Sequence, residues 1–203
     1  MKRIVLINLL VIFCFDTFGQ IYTEGKAKQK FPVMVAFTAH SYSWPISRSF
    51  VTPIQPGFII GTEYWYSANS RSGFLQSFNA GYFKNPDFLK AYYLNSYFTY
   101  RYTSQFNVFA ESGIGMGYFH KRYARESFVL NNKGEYESKT DWGSPGIQGG
   151  VKISAGYNFK LRESRLSAFL TYEWFVEYPH AKGFIPILPH SLYHIGIRYQ
   201  LNN

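Results

Sequence analysis

Two stretches of this sequence set histidine beside serine: His40, Ser41 and Ser43 in one, His190, Ser191 and His194 in the other. A serine whose proton passes to an imidazole can attack an ester carbonyl, usually with an acid orienting the ring. The spacing speaks against that use. Neighbours along an extended chain point to opposite faces, so His40 cannot readily serve Ser41, nor His190 Ser191, and His194 has the parity opposite to Ser191. No catalytic residue is expected on these grounds. The chain also lacks a Cys-x-x-Cys or His-Glu-x-x-His spacing, and its single cysteine, Cys14, lies near the N-terminus. No metal or other cofactor is expected.

A second group is defined by charge. Glu63, Arg101, Glu111, Lys152, Glu173, Glu177 and Arg198 all lie within stretches of apolar-polar alternation, and all take the polar parity. His40 and His194 share it. A third group, His120, Lys121, Arg122 and Arg125, forms a short basic run that could meet anionic phosphates, with Lys84, Lys90 and Lys182 as extensions.

Strands must position these residues. Period-two alternation marks eight stretches: Val33–Ser41, Phe58–Tyr66, Phe74–Tyr82, Tyr92–Tyr102, Phe106–Tyr118, Val151–Phe159, Leu166–Glu177 and Leu192–Leu201. Each is close to the ~9 to 11 residues with which a tilted strand crosses a bilayer. The fifth sets Phe106, Val108, Ala110, Ile114, Met116 and Tyr118 against Asn107, Glu111, Gly113, Gly115 and Gly117. The last sets Tyr193, Ile195, Ile197, Tyr199 and Leu201 against His194, Gly196, Arg198 and Gln200. Connections after the first, third, fifth and seventh stretches are expected to be long and the others short, as in transmembrane barrels with tight periplasmic turns and longer outer loops. An even strand number then places both termini in the periplasm.

Composition agrees. Aromatic residues make up 21% of the chain, including 18 Tyr and 20 Phe, while mean hydropathy is −0.19. Apolar side chains must therefore be interleaved with polar ones, and Tyr at this density suits a water–lipid boundary. Continuous outward apolar sets, with Tyr or Trp toward their ends, favour lipid outside over a soluble lipocalin-like barrel. The net charge of +9 points to lipid phosphates rather than to nucleic acid in an exported protein.

Residues 1–20 read as a secretory signal: Lys2 and Arg3, an apolar run over Ile4–Phe15, then Thr17, Gly19 and Gln20. The run is too short for a spanning helix, which needs roughly 20 apolar residues. Phe13 before Cys14 does not fit a lipoprotein site. Residues 21–203 then form one all-β domain, a closed antiparallel transmembrane barrel of eight strands.

If charged parity faces the inside of so narrow a barrel, Arg101, Lys152 and Arg198 are expected to pair with the four glutamates and plug it. Lys121, Arg122 and Arg125 are expected at the outer rim against lipopolysaccharide. Asn131, Asn132, Lys133, Gly134 and Glu135 read as the tip of a projecting hairpin between short strands Ser127–Leu130 and Tyr136–Lys139. Phe184–Pro189 reads as an apolar lid over the barrel mouth or a segment dipping into lipid.

Strand count, loop lengths and the terminal strand with Tyr193, Ile195, Ile197, Tyr199 and Leu201 resemble the small outer-membrane barrel superfamily that holds the OmpA transmembrane domain and OmpX. The aromatic-rich composition is similar to that of Bacteroidetes-type members. The terminal strand resembles the signal read by the barrel assembly machinery, although Leu201, Asn202 and Asn203 follow Tyr199 where such strands often end on an aromatic. The resemblance implies a monomer in the outer membrane, touching lipid and lipopolysaccharide. Its implied function is a non-enzymatic structural or surface-binding role, with a lipid A deacylase or acyltransferase as the alternative. The deacylases carry a His-x-Ser-Asn pattern that this chain lacks.

Overall fold

The computed structural model describes residues 31–45, 54–85, 89–123, 127–130, 134–139, 142–160, 164–180 and 186–201. The expected signal segment lies outside them. In chain order the strands are β1 (Val33–Ser41), β2 (Gln55–Ala68), β3 (Ser72–Asn85), β4 (Leu89–Thr103), β5 (Val108–Tyr123), β6 (Ser127–Leu130), β7 (Tyr136–Lys139), β8 (Ser144–Lys160), β9 (Ser164–Tyr178) and β10 (Leu188–Leu201). All pairings are antiparallel. Eight strands close into a barrel in the order β1-β10-β9-β8-β5-β4-β3-β2, and β6 with β7 forms a separate two-stranded hairpin within the β5–β8 connection. That hairpin has the bounds expected from its turn residues, with Gly134 at φ 81°.

The alternation seen in the sequence is turned outside-in relative to a soluble barrel. Phe37 is 77% exposed, while its neighbour Ala36 is 3% exposed. Val33, Val35, Phe78, Leu94, Ile114, Met116, Ile195 and Ile197 also face outward. So large a continuous apolar exterior is the surface of a barrel solvated by lipid. Aromatic rings flank it: Phe74, Tyr100 and Tyr102 near the short turns, Tyr82, Tyr92 and Tyr118 toward the other end.

Most strands are longer than the alternation alone indicates; β1 keeps its expected bounds, and β5 begins at Val108 rather than at Phe106, because Asn107, at φ 63°, belongs to the preceding turn. β8 has 17 residues, and at a rise of roughly 3.3 Å per residue it reaches well beyond what a strand tilted by about 45° needs to cross a hydrocarbon layer of about 30 Å. Its start over Ser144–Gly150 escaped the alternation because Gly146, Gly149 and Gly150 carry no side chain to read. The connection after β3 is a correction to the expected loop pattern. β3 and β4 stay in register as far as Asn85 opposite Leu89, leaving only residues 86–88 between them.

Two close contacts show how the interior is fitted. At Gly81 a Cβ would overlap the Tyr93 ring, and at Gly156 one would overlap the Phe109 ring. Glycine on one strand thus makes room for a large ring that fills the barrel from the next.

Candidate functional site

The barrel interior holds three groups of hydrogen-bonded and ion-paired polar side chains. Toward the short turns, β2, β4, β5 and β10 bring together Glu63, Arg101, Glu111 and Arg198, none more than 8% exposed. Arg101 donates from Nη2 to Glu63 Oε1 and from Nε to Glu111 Oε1, both at 2.6 Å. Arg198 Nη2 reaches the same two oxygens at 2.6 and 3.2 Å. Two guanidiniums thus neutralise two carboxylates, the condition under which buried charge is tolerated. The Phe109 ring lies beneath both, 5.2 Å from Arg101 Cζ and 5.3 Å from Arg198 Cζ, and Trp65 caps Arg101 at 4.8 Å.

The central group is built around Glu173. Its Oε1 accepts from Asn95 Nδ2 at 2.9 Å and from the Tyr97 hydroxyl at 2.8 Å, and its Oε2 lies 3.1 Å from His194 Nε2. His194 Nδ1 lies 2.9 Å from Thr38 Oγ1. Lys152 is the exception to the expected pairing. Its ammonium donates to Ser77 Oγ at 2.9 Å and sits 5.4 Å from the Tyr97 ring centroid, with no carboxylate at ion-pair distance among the described residues. The reason is competition: the arginines hold Glu63 and Glu111, and Glu173 is occupied by His194, Asn95 and Tyr97.

The third group lies toward the long connections. His40 Nδ1 is 2.8 Å from Gln55 Oε1, and His40 Nε2 is 2.8 Å from His190 Nδ1. His190 Nε2 meets Glu177 Oε2 at 3.2 Å. The Lys121 ammonium donates to Glu177 Oε1 and to the His180 carbonyl, the latter at 2.8 Å. Both inner imidazoles stack on rings, His40 on Phe83 at 3.8 Å and His190 on Phe175 at 4.5 Å.

Lys121 corrects the sequence reading, which puts it at the outer rim with Arg122 and Arg125. β5 continues beyond Tyr118 to Tyr123, and Lys121 keeps the parity of Glu111, so its side chain enters the barrel and is 1% exposed. Following that parity for three more residues would have found it. Arg122 points outward and is exposed, and Arg125 lies outside the described residues. His190 and Thr38 also belong to the interior, although in the sequence His190 stands out only beside Ser191 and Thr38 not at all.

Ser191 does not use a histidine. Ser191 Oγ contacts the Tyr172 hydroxyl at 3.0 Å and donates to the Ser43 carbonyl at 3.3 Å. The hydroxyl–imidazole–carboxylate order does occur elsewhere, in Thr38, His194 and Glu173, but all three are at most 5% exposed. The cavity beside His194 and Glu173, bordered also by Glu111, Lys152 and Arg198, measures about 20 Å³, room for about one water molecule. No acyl chain fits there. Among the described residues no group of histidine, cysteine, aspartate or glutamate side chains could hold a metal ion.

On the outside, the apolar stretch expected as a lid is described only from Pro186. Ile187 is 51% exposed, and the Pro186 carbonyl accepts from the His180 amide at 2.9 Å.

Neither a family model nor a curated protein sequence matches the chain. Solved structures do resemble it. Neisserial surface protein A superposes with a TM-score of 0.52 at 16% identity, over 86% of this chain and 98% of that one. A major outer membrane protein from Thermus thermophilus gives 0.46 at 12% identity, covering 85% and 99%. The outer membrane enzyme PagL gives 0.42 at 11% identity, over 85% and 99%. At such identities the likeness is one of fold.

Proposed function

We propose that this chain, a small eight-stranded β-barrel of the outer membrane, acts without catalysis: a plugged barrel that makes its contacts through its outer loops and rim. In this reading both termini face the periplasm, the β6–β7 hairpin projects outward, and lipopolysaccharide and surface partners are what the protein meets.

One observation carries the reading. Every barrel strand contributes a polar or charged side chain to the interior network, from Thr38, Glu63, Ser77 and Arg101 to Glu111, Lys152, Glu173 and Arg198. Interlocked groups of this kind leave no continuous path for a solute. Conductance in planar bilayers tests it: the purified barrel gives no steady channel current, and a stable ohmic conductance would refute the plug.

The alternative, a lipid A acyl-chain enzyme, draws on the ordered contact of Thr38, His194 and Glu173. A substrate carbonyl would have to reach Thr38 Oγ1 through the filled barrel. Lipid A from cells lacking the protein, carrying it, or carrying Thr38→Ala or a Ser41→Ala/Ser191→Ala double variant is expected to show one mass spectrum. Loss or gain of one acyl chain, abolished by either variant, would make the protein an enzyme.

A further inference from the structure

The outer wall carries a row of three cations. In the pairing of β3 with β4, Lys84 stands directly opposite Lys90, and in that of β4 with β5, Lys90 stands opposite Arg122. All three have outward parity and are exposed. Like charges in directly opposed cross-strand positions destabilise a sheet, and here two such pairs share one lysine. Among the described residues none of the three joins an ion pair, and Glu63, Glu111, Glu173 and Glu177 are held inside the barrel by other cations and by His194. The row covers two interstrand spacings, about 10 Å, which is wider than one phosphate.

What lies next to the row selects the partner. One step toward the membrane centre on the same face are Tyr82, Tyr92 and His120, in register with one another, and the Tyr82 and Tyr92 rings are 5.0 Å apart. The following step is Ala80, Leu94 and Tyr118, and the one after that Phe78, Ser96 and Met116. Cations, then an aromatic girdle, then an apolar wall is the profile of an amphiphile that carries anionic groups at its head and acyl chains below.

We infer that Lys84, Lys90 and Arg122 form a binding site for the headgroup of a lipid bearing more than one phosphate, the chemistry of lipid A, with its acyl chains lying against Leu94, Phe78 and Met116. The lysines supply mobile point charges, and the Arg122 guanidinium can hold a phosphate through two parallel hydrogen bonds. The site deepens the rim-contact reading above and rests on the outward direction of the long connections.

The test separates binding from orientation. Full-length protein, purified and folded in detergent, is titrated with diphosphoryl lipid A and observed by native mass spectrometry. Lys84→Gln/Lys90→Gln/Arg122→Gln is expected to weaken binding on the order of 100-fold, from about 1 kcal/mol per basic residue. Arg165→Gln, an exposed cation near the short turns, leaves binding unchanged, and lipid A freed of its phosphates binds wild type as weakly as diphosphoryl lipid A binds the triple variant. Heat-dependent gel migration confirms that each variant is folded. Equal binding by wild type and the triple variant would overturn the site, as would indifference to the phosphates. So would capture of a soluble sulfated polysaccharide in place of lipid A. Orientation is read independently in whole cells, where Glu135→Cys in the β6–β7 connection is labelled by an impermeant maleimide; absence of label there would remove the outward direction while leaving the detergent result standing.

Discussion

Arg101 and Arg198 grip one carboxylate oxygen of Glu63 and one of Glu111 in common, although they reach them from β4 and β10. The two arginines are thus bound to each other's partners, and the loss of one acid strands two cations. Glu111→Gln is expected to destabilise the barrel by about 3 to 5 kcal/mol, the usual cost of leaving buried charge unpaired. Urea unfolding in liposomes measures it, and Glu111→Asp should recover part of the loss.

Lys121 and Arg122 are adjacent in sequence and sit on opposite sides of the wall. Lys121→Gln is expected to lower stability, since Glu177 loses its ammonium partner, and to leave lipid A binding intact. Arg122→Gln is expected to do the reverse. Paired unfolding and native mass spectrometry experiments distinguish them, and an identical profile for the two would contradict the placement of Lys121.

Gly81 and Tyr93 face each other across β3 and β4. Gly81→Ala would drive its new carbon into the ring, so a cost of about 1 to 3 kcal/mol from overpacking is expected. Tyr93→Leu in the same chain should relieve it, as a double-mutant cycle of unfolding free energies would show.

Thr38→Val removes the hydroxyl opposite His194 Nδ1 while keeping the volume. The expected result is a loss of about 1 to 3 kcal/mol from a buried polar atom left without its partner, with lipid A unchanged. A stability effect without a lipid effect is what an internal network produces; a lipid effect in a fully folded variant is what a relay produces.

Much of this was legible in the sequence. Strands β1 and β9 follow their alternating residues closely, because a strand whose two faces meet lipid and a polar interior must alternate, while β10 begins four residues before its expected start and so takes in His190. The inward parity of Glu63, Arg101, Glu111, Lys152, Glu173, Glu177 and Arg198 came from the same rule, since a charge facing hydrocarbon is costly. What alternation could not carry was the reach of β8 across Gly146, Gly149 and Gly150, where there is no side chain to read; the inward turn of Lys121 lay within its reach, three residues past Tyr118 on the parity of Glu111.

By itself the sequence determined which faces the side chains take, since parity is a local property of extended backbone. Partnership needed the closed barrel. His40 and His190 are 150 residues apart and meet because β1 and β10 are neighbours. Lys152 lost the carboxylates to two arginines and a histidine whose positions depend on other strands of the barrel. Lys84, Lys90 and Arg122 became a row only through the register of β3, β4 and β5. Which groups share a buried volume is set by strand order and register, and those are collective outcomes of packing and hydrogen bonding across the whole sheet.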